Sequence, residues 1–183
     1  TTPTITGTAE ANSTITLLTG KIVIGTATTD SEGNFSVSPT SDLADGDYSL
    51  TAKATDSAGN ESSVSSSISI TIDTTAPDAP TSLATSSSFT NNSTPTIIGT
   101  AEANSTITLL IGKIVIGTAT TDSEGNFSVS PTSDLADGDY SLTAKATDSA
   151  GNESSVSSSI SITIDTTVPD KPASLATTSS NTN

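Results

Sequence analysis

The chain has 183 residues, of which 20 are acidic and five are basic, so its formal net charge at pH 7 is −15. Such a charge repels nucleic acid and anionic membrane surfaces and attracts cations. The chain has no cysteine and no histidine, which excludes disulfides, thiolate metal sites and the familiar pairs of catalytic nucleophile and base. No apolar stretch reaches the roughly 18 residues that a membrane-spanning helix needs, so we expect no membrane insertion.

The sequence repeats itself after 92 residues. Residues 1–91 match residues 93–183 with eight mismatches, and both copies keep every Asp, Glu, Gly and Pro. A period of this length indicates tandem domains. Because residue 1 corresponds to Ser93, inside a repeat, we expect an excerpt of a longer tandem protein. The boundaries that we predict are repeat 1 at 1–73 without its first strand, a linker at 74–80, repeat 2 at 81–165, a linker at 166–172 and the first strand of a further repeat at 173–183.

Apolar and polar residues alternate along the predicted elements. In the first copy the alternation runs through Tyr48, Leu50, Ala52 and Ala54, which is typical of an antiparallel strand with one buried face. In the second copy, turn residues such as Gly125-Asn126 separate such runs. Seven strands are predicted there, near 81–85, 95–101, 105–111, 113–120, 126–131, 139–147 and 155–165. The predicted fold class is therefore all-β, with tandem immunoglobulin-like β-sandwich domains of about seven strands each.

Two tyrosines occupy a characteristic position in this predicted fold. Tyr48 and Tyr140 each follow a Leu-Ala-Asp-Gly-Asp turn at the start of the sixth strand. An immunoglobulin-like domain places a tyrosine corner there, in which the hydroxyl bonds to the backbone a few residues upstream. A tyrosine that only fills the core is the alternative.

Five motifs of the second copy carry a family resemblance. They are Thr-Pro-Thr-Ile-x-Gly-Thr-Ala-Glu-Ala-Asn-Ser-Thr-Ile-Thr-Leu (94–109), Asp-Ser-Glu-Gly-Asn-Phe-Ser (122–128), Leu-Ala-Asp-Gly-Asp-Tyr-Ser-Leu-Thr-Ala (135–144), Ala-Thr-Asp-Ser-Ala-Gly-Asn (146–152) and Ile-Asp-Thr-Thr-Val-Pro-Asp (164–170). With them the whole chain resembles bacterial Ig-like (Big) tandem repeats from the extender regions of large RTX- and biofilm-type surface adhesins of Gram-negative bacteria. The resemblance implies an extracellular, surface-anchored array in cell adhesion, exported by type I secretion, with calcium at its domain junctions.

The direction of the strands leads to calcium independently. If the first strand of repeat 2 runs away from repeat 1, its loops at 101–105, 122–126 and 148–153 face the junction, while the last strand ends at the opposite pole. Carboxylate, amide and carbonyl oxygens are the ligands that Ca²⁺ takes, six to eight at a time. The predicted ligands of the complete junction are Asp73, Asp78, Glu102, Asp148 and Asn152. The predicted half-sites are Glu10, Asp56 and Asn60 at one end and Asp165 and Asp170 at the other.

Each predicted ligand also has a plain structural explanation, since Asp and Asn in turns often bond to their own backbone. The function that we expect is that of a stalk stiffened by calcium, with no enzymatic activity. Two alternatives are repeats that themselves bind glycan or protein ligands in adhesion, and an accessory module of a secreted enzyme. The expected partners are neighbouring repeats of the same chain, and lateral self-association is left open.

Overall fold

The computed structural model describes residues 1–175. The chain forms two compact units, Thr1–Thr75 and a second unit that begins at Ala76. The predicted linker at 74–80 is thus divided between the two units, and residues 176–183 of the strand predicted at 173–183 lie outside the described residues. No helix within residues 1–175 is long and apolar enough to cross a membrane.

Unit 1 contains six strands among its residues. They are β1 (Ile5–Thr8), β2 (Thr14–Thr19), β3 (Ile22–Thr28), β4 (Asn34–Val37), β5 (Gly46–Thr55) and β6 (Ile68–Ile72). One sheet consists of β1 and β4, and the other has the order β3-β2-β5-β6, with every pair antiparallel. Ile15, Leu17, Val37 and Leu50 form the buried core of this unit.

Unit 2 repeats this arrangement and adds two strands at its start. Its strands are β7 (Thr81–Thr85), β8 (Phe89–Thr90), β9 (Ile97–Thr100), β10 (Thr106–Ile111), β11 (Ile114–Thr120), β12 (Asn126–Val129), β13 (Gly138–Thr147) and β14 (Ile160–Ile164). The sheets have the orders β12-β9-β7 and β11-β10-β13-β14-β8. The chain therefore crosses from one sheet to the other between β7 and β8, and β8 pairs in parallel with β14. Two immunoglobulin-like sandwiches confirm the predicted fold class.

The core of unit 2 follows the alternation seen in the sequence. Leu142, Ala144 and Ala146 of β13 are buried against Ile107 and Leu109 of β10 and against residues of the other sheet. Apart from Phe127, the buried side chains of this core are aliphatic. A small core of this kind places high demands on close packing between the two sheets.

Gly99 on β9 makes room for the ring of Phe127 on the neighbouring strand. A Cβ atom at position 99 would lie 2.6 Å from the ring carbon Cζ of Phe127. The two residues are directly paired across β9 and β12. The glycine therefore leaves space for the largest buried side chain of this core.

The predicted tyrosine corners are confirmed in both units. The hydroxyl of Tyr48 donates to the carbonyl oxygen of Ala44 at 3.0 Å. The hydroxyl of Tyr140 donates to the carbonyl oxygen of Ala136 at 2.9 Å. Each bond ties the turn before the longest strand of its unit to the strand itself.

The last strand of unit 2 is shorter than predicted, because serine side chains take part of the pairing in the segment before it. The prediction placed it near 155–165, whereas β14 spans Ile160–Ile164. In the preceding segment the hydroxyls of Ser154 and Ser157 accept the backbone N–H groups of Ala146 and Ala144, each at 2.9 Å. Both hydroxyls also donate to the following backbone carbonyl. The backbone N–H groups of both serines still donate to the carbonyls of Ala146 and Ala144, at 2.9 and 2.8 Å. The hydroxyls thus replace only the carbonyl acceptors of this segment, which the alternation of apolar residues does not reveal.

We predict that Ser157→Ala destabilises unit 2 more than Ser65→Ala destabilises unit 1. The two serines make the same bond, to the N–H of Ala144 and of Ala52, but only the bond in unit 2 is buried. An unpaired buried N–H group costs about 1–3 kcal/mol, whereas an exposed one is solvated by water. Differential scanning calorimetry of the whole chain measures both effects, and equal losses in the two variants would contradict the prediction.

Candidate functional site

Four segments of unit 2 meet at one end of its sandwich, here named the first pole. Thr106 pairs with Thr147, which places the loops 101–105 and 148–153 side by side. The backbone N–H of Ala101 donates to the carbonyl of Gly125 at 2.9 Å, which places the loop 121–125 at the same end. Thr81, at the start of β7, pairs with Thr100. The residues that enter unit 2 therefore lie at the first pole together with three loops.

A buried pair of hydroxyl residues holds the loop that carries Glu102. The hydroxyl of Thr121 donates to the carbonyl oxygen of Glu102 at 2.6 Å and accepts the backbone N–H of Ser105 at 2.9 Å. The hydroxyl of Ser105 donates to the same carbonyl at 2.7 Å. Ser105 and Thr121 are both buried. The backbone of Glu102 is thus fixed while its carboxylate remains exposed to solvent.

Asp148 organises its own loop through hydrogen bonds. Its Oδ1 accepts the backbone N–H groups of Ala150 and Asn152 at 2.9 and 2.8 Å, and its Oδ2 accepts the side-chain amide of Asn152 at 2.8 Å. The side-chain amide of Asn152, and then the backbone N–H groups, hold the pKa of Asp148 below its ordinary value. Asp148 is therefore ionised in a preformed loop. The structural alternative to a ligand role, in which Asp and Asn form hydrogen bonds within their own turn, is observed at this position.

The structure brings some of the predicted ligands together within a single unit. Asp78 and Glu102 line one cavity of about 410 Å³ at the first pole of unit 2. In unit 1, Glu10, Asp56 and Asn60 line a cavity of about 410 Å³ at the equivalent end. Glu10, Asp56 and Asn60 correspond to Glu102, Asp148 and Asn152 at the repeat offset.

Other predicted ligands lie elsewhere in their own units. Asp73 follows β6, whose last residue pairs with Gly46 at the end of unit 1 opposite to Glu10. Asp165 follows β14 at the corresponding end of unit 2, and its Oδ1 accepts the backbone N–H of Thr167 at 3.0 Å. Asp170 is exposed. Within residues 1–175, no group of three or more acidic side chains lies close enough together to hold a metal ion.

The donor chemistry at the first pole suits a hard cation. Carboxylates with an amide oxygen and backbone carbonyls form an oxygen-only set, which Ca²⁺ prefers over softer nitrogen and sulfur ligands. The set that one unit supplies is smaller than the six to eight ligands that Ca²⁺ takes. A cation at this pole would thus take its remaining ligands from water or from outside the unit.

Two aspartates that the sequence analysis did not place in a site hold the chain where it leaves each sandwich. In unit 2, Asp137 Oδ1 accepts the backbone N–H and the hydroxyl of Thr166 at 3.0 and 2.8 Å, and its Oδ2 accepts the hydroxyl of Thr167 at 2.8 Å. Asp45 binds Thr74 and Thr75 in the same way in unit 1. We name this arrangement the exit clamp. The Asp-Gly-Asp turn and the Asp-Thr-Thr run after the last strand are its sequence signals.

Comparison of the sequence with known protein families assigns the chain to a family that agrees with this architecture. The profile of the family described as bacterial Ig-like domain matches residues 1–74 and 76–166. The chain belongs to the bacterial Ig-like domain family. Its two matched segments agree with the two sandwiches, so the chain is a tandem of bacterial Ig-like domains. A comparison with curated protein sequences gives no match.

Solved structures similar to these bacterial Ig-like domains include the fibronectin(III)-like modules of Clostridium thermocellum CbhA, with a TM-score of 0.56 and 18% identity over 89% of this chain and 85% of that one. This likeness concerns the fold alone. A biofilm-associated protein (BSP domain) gives a TM-score of 0.39 and 24% identity over 90% of this chain and 28% of that one. A tetra-tandem repeat in the extending region of a large adhesion protein gives 0.40 and 26% over 91% and 46%. The chain thus spans less than half of the length of each of these last two structures.

We predict that Asp137→Ala lowers the melting temperature of unit 2 at pH 7 but not in strong acid. Bonds from the side chains of Thr166 and Thr167 and from the backbone of Thr166 lower the pKa of Asp137 in the folded state. A lowered pKa contributes stability that is present above the unfolded pKa of about 3.9 and disappears as the pH falls through the folded pKa.

Calorimetry of the variant and the parent chain across this pH range, in EDTA, tests the exit clamp. Asp170→Ala is the matched control because Asp170 is an exposed residue of the following segment, and it should leave the melting temperature unchanged. A melting temperature of Asp137→Ala equal to that of the parent chain at pH 7 would sink the prediction, and so would a difference that persists in strong acid.

Proposed function

We propose that these tandem domains are an extender module, a stalk segment of a secreted bacterial surface protein whose domain junctions are stiffened by Ca²⁺. The observation that carries the proposal is that Asp78 and Glu102 line one cavity at the pole where unit 2 begins. The same pole of unit 1 holds Glu10 with Asp56 and Asn60. Acidic side chains thus gather at the end of the domain that follows a linker.

The near-identity of the two copies supports a structural role and an extracellular location. Eight mismatches in 91 aligned positions leave every acidic residue in place. A spacer requires many equivalent units, each contributing the same length, while a catalytic site does not benefit from a neighbouring copy. A surface of net charge −15 also keeps a long array soluble. We place the chain at the bacterial cell surface as a non-catalytic element of adhesion.

In this proposal the ligands come from both sides of a junction. Asp78, Glu102, Asp148 and Asn152 of one domain and Asp73 of the domain before it hold the ion. Asp165 and Asp170 offer the equivalent groups to a following domain, as Glu10, Asp56 and Asn60 do to a preceding one. The ion supplies positive charge to carboxylates that otherwise repel one another. Asp148 enters the site already ionised because Asn152 and the loop backbone stabilise its charge.

The linker itself has little freedom left for a hinge. The exit clamp binds Thr74 and Thr75 through Asp45. Pro77 and Pro80 have a fixed φ angle and are both buried. Only positions 76, 78 and 79 of the predicted linker remain without such a constraint, and Asp78 is one of them. A cation that joins Asp78 to Glu102 would therefore remove freedom at the point where the linker retains it.

We predict that Ca²⁺ raises the melting temperature of the chain and lengthens it in solution. A ligand at 100 times its dissociation constant stabilises the folded state by about 2.7 kcal/mol. Calorimetry measures the first effect, and the maximum dimension from small-angle X-ray scattering measures the second. Mg²⁺ is the control, because it keeps its water shell and needs octahedral geometry. If EDTA changes neither quantity, the calcium junction is wrong.

A matched pair of variants tests where the ion binds. Glu102→Ala should weaken Ca²⁺ binding about tenfold or more in isothermal titration calorimetry, since it removes a charged ligand from the central junction. Glu10→Ala changes the same position of the first copy, but in a chain that starts at Thr1 no preceding domain faces it. It should leave the binding constant unchanged. Equal losses in the two variants would place the ion within each unit rather than at the junction.

Glycan-array screening of the chain separates the stalk from a repeat that binds ligands itself. The stalk predicts no specific binding. Reproducible micromolar binding to a defined glycan would instead assign recognition to the repeats.

A further inference from the structure

The larger sheet of unit 2 has an outer side that faces solvent. Leu142, Ala144 and Ala146 of β13 are buried in the core, so the residues between them point to the opposite side of the sheet. β13 lies between β10 and β14, and β11 follows β10 at the edge. We name the outer side of these four strands the threonine face, after its residues Thr106, Thr108, Thr118, Thr120, Thr143 and Thr147.

The threonines lie in register across neighbouring strands. Thr106 pairs with Thr120 on one side and with Thr147 on the other. Further along the same strand Leu110 pairs with Val115, whose side chain is 56% exposed. The threonine face therefore presents regular rows of short side chains with a small apolar spot, a surface on which a second sheet can pack.

Charged residues are nearly absent from this face. In the described part of unit 2, Asp139 and Lys145 are the only charged residues within strands, and the others lie in loops or in the flanking segments. Both belong to the outward set of β13. Asp47 and Lys53 repeat the arrangement on β5 of unit 1. In a chain of net charge −15, this face is thus a surface on which a second copy meets little repulsion.

The two charges of the face are separated along one strand. Asp139 and Lys145 lie three residues to either side of Leu142, about 20 Å apart, which exceeds the Debye length of about 8 Å at physiological salt. They therefore do not neutralise each other within one unit. Lys145 contacts Glu153 at 3.1 Å, but the two side chains are 35% and 62% exposed, so this ion pair is weak. The ammonium group has three donors and can bind a second carboxylate.

The edge of the sheet beside this face is closed to strand addition. β11 is the edge strand, and a β-bulge interrupts its pairing with β10. The backbone N–H of Thr132 donates to the carbonyl of Ile116 at 2.7 Å, and a Cβ atom at Gly117 would lie 2.4 Å from the carbonyl oxygen of Ser130. The segment 130–132 thus covers the middle of β11. Bulges and covered edges prevent pairing between sheets, so a second copy reaches the face and not this edge.

We propose that the threonine faces of two copies of this chain pack against each other with their β13 strands antiparallel. A two-fold axis that lies in the plane of the sheet and crosses β13 at Leu142 places Asp139 of each copy opposite Lys145 of the other. The face is therefore complementary to itself, as a symmetric contact requires. Parallel strands would instead bring Asp139 against Asp139 and Lys145 against Lys145.

The size of the face determines how tightly single units associate. β13 has ten residues and is about 34 Å long, and four strands about 4.8 Å apart are about 19 Å wide. The face therefore offers about 650 Å², compared with about 800 Å² per partner in a standard interface. Contact between single units is weak, and an array in which several faces engage together binds more tightly.

The antiparallel contact has a direction, whose meaning rests on the proposed stalk function. β13 begins at the end opposite to the first pole and ends at the first pole. Antiparallel β13 strands therefore place the two domains in opposite directions. Stalks on one surface all point the same way, whereas stalks from two facing surfaces point toward each other. The threonine face thus joins stalks of facing surfaces, and its function is cohesion between cells.

Sedimentation velocity of the 183-residue chain in EDTA tests the contact without calcium. The weight-average mass should rise above the 18.1 kDa of one copy as the protein concentration increases. A chain that stays monomeric up to its solubility limit would overturn the proposal and leave the calcium junction intact. A chain that associates in EDTA but does not respond to Ca²⁺ would do the reverse, so the two failures are distinguishable.

Charge-swap variants of both units identify the face. Asp47→Lys with Asp139→Lys leaves only lysine at the charged positions of the face, and Lys53→Asp with Lys145→Asp leaves only aspartate. Each double variant alone should be monomeric, because like charges then face each other, whereas an equimolar mixture should associate as the parent chain does. Circular dichroism checks that each variant is folded. Association of either variant alone, or a mixture that stays monomeric, would overturn the proposal.

A second set of variants separates the face from general repulsion. Thr51→Glu with Thr143→Glu adds a carboxylate near the centre of both faces and should lower the association constant at least tenfold. Ser31→Glu with Ser123→Glu is the control, because it adds the same charge in exposed loops outside the face, and it should associate as the parent chain does. Equal loss in the two double variants would indicate repulsion without a defined contact and overturn the proposal.

Discussion

The packing of two thin sheets across a small apolar core is the constraint on which this molecule depends. Only 31% of its residues are hydrophobic and 3% are aromatic. The central strands contribute buried side chains at alternate positions, and in β13 two of the three, Ala144 and Ala146, are alanines. A core with so few contacts cannot compensate for the loss of a strand. It closes only when all strands are present, as the difference in burial between the two units shows for side chains of the same type.

Much of the fold follows from local sequence, because alternation and turn chemistry are local properties. Such patterns predict β7, β9 to β13, both tyrosine corners and the sandwich class. They do not predict the shortened β14 and the short β8. Ser154 and Ser157 accept N–H groups of β13 through their hydroxyls, in place of backbone carbonyls. β8 has two residues and is defined by its partner β14. Both features depend on segments distant in sequence, which periodicity does not report.

The candidate site is also only partly predictable from local sequence. Strand direction predicts which loops share a pole, and Asp78 and Glu102 line one cavity of unit 2. Whether carboxylates converge on an ion depends on how two domains meet, and no strand pattern contains that information. The exit clamp was missed because Asp45 and Thr74 are 29 residues apart. Asp45 lies in an Asp-Gly-Asp turn. The glycine alone is enough to predict that turn, so the local sequence indicates no further role for the aspartate.

The parallel contact between β8 and β14 also determines how a domain of this kind responds to force. Its hydrogen bonds join the first and last segments of unit 2, with Thr163 donating to Ser88 at 2.7 Å and Asp165 to Thr90 at 3.0 Å. Tension applied at the two ends of the domain loads these bonds in shear, so they share the load and break together. A domain whose first and last segments are joined in this way therefore resists extension until the parallel contact breaks.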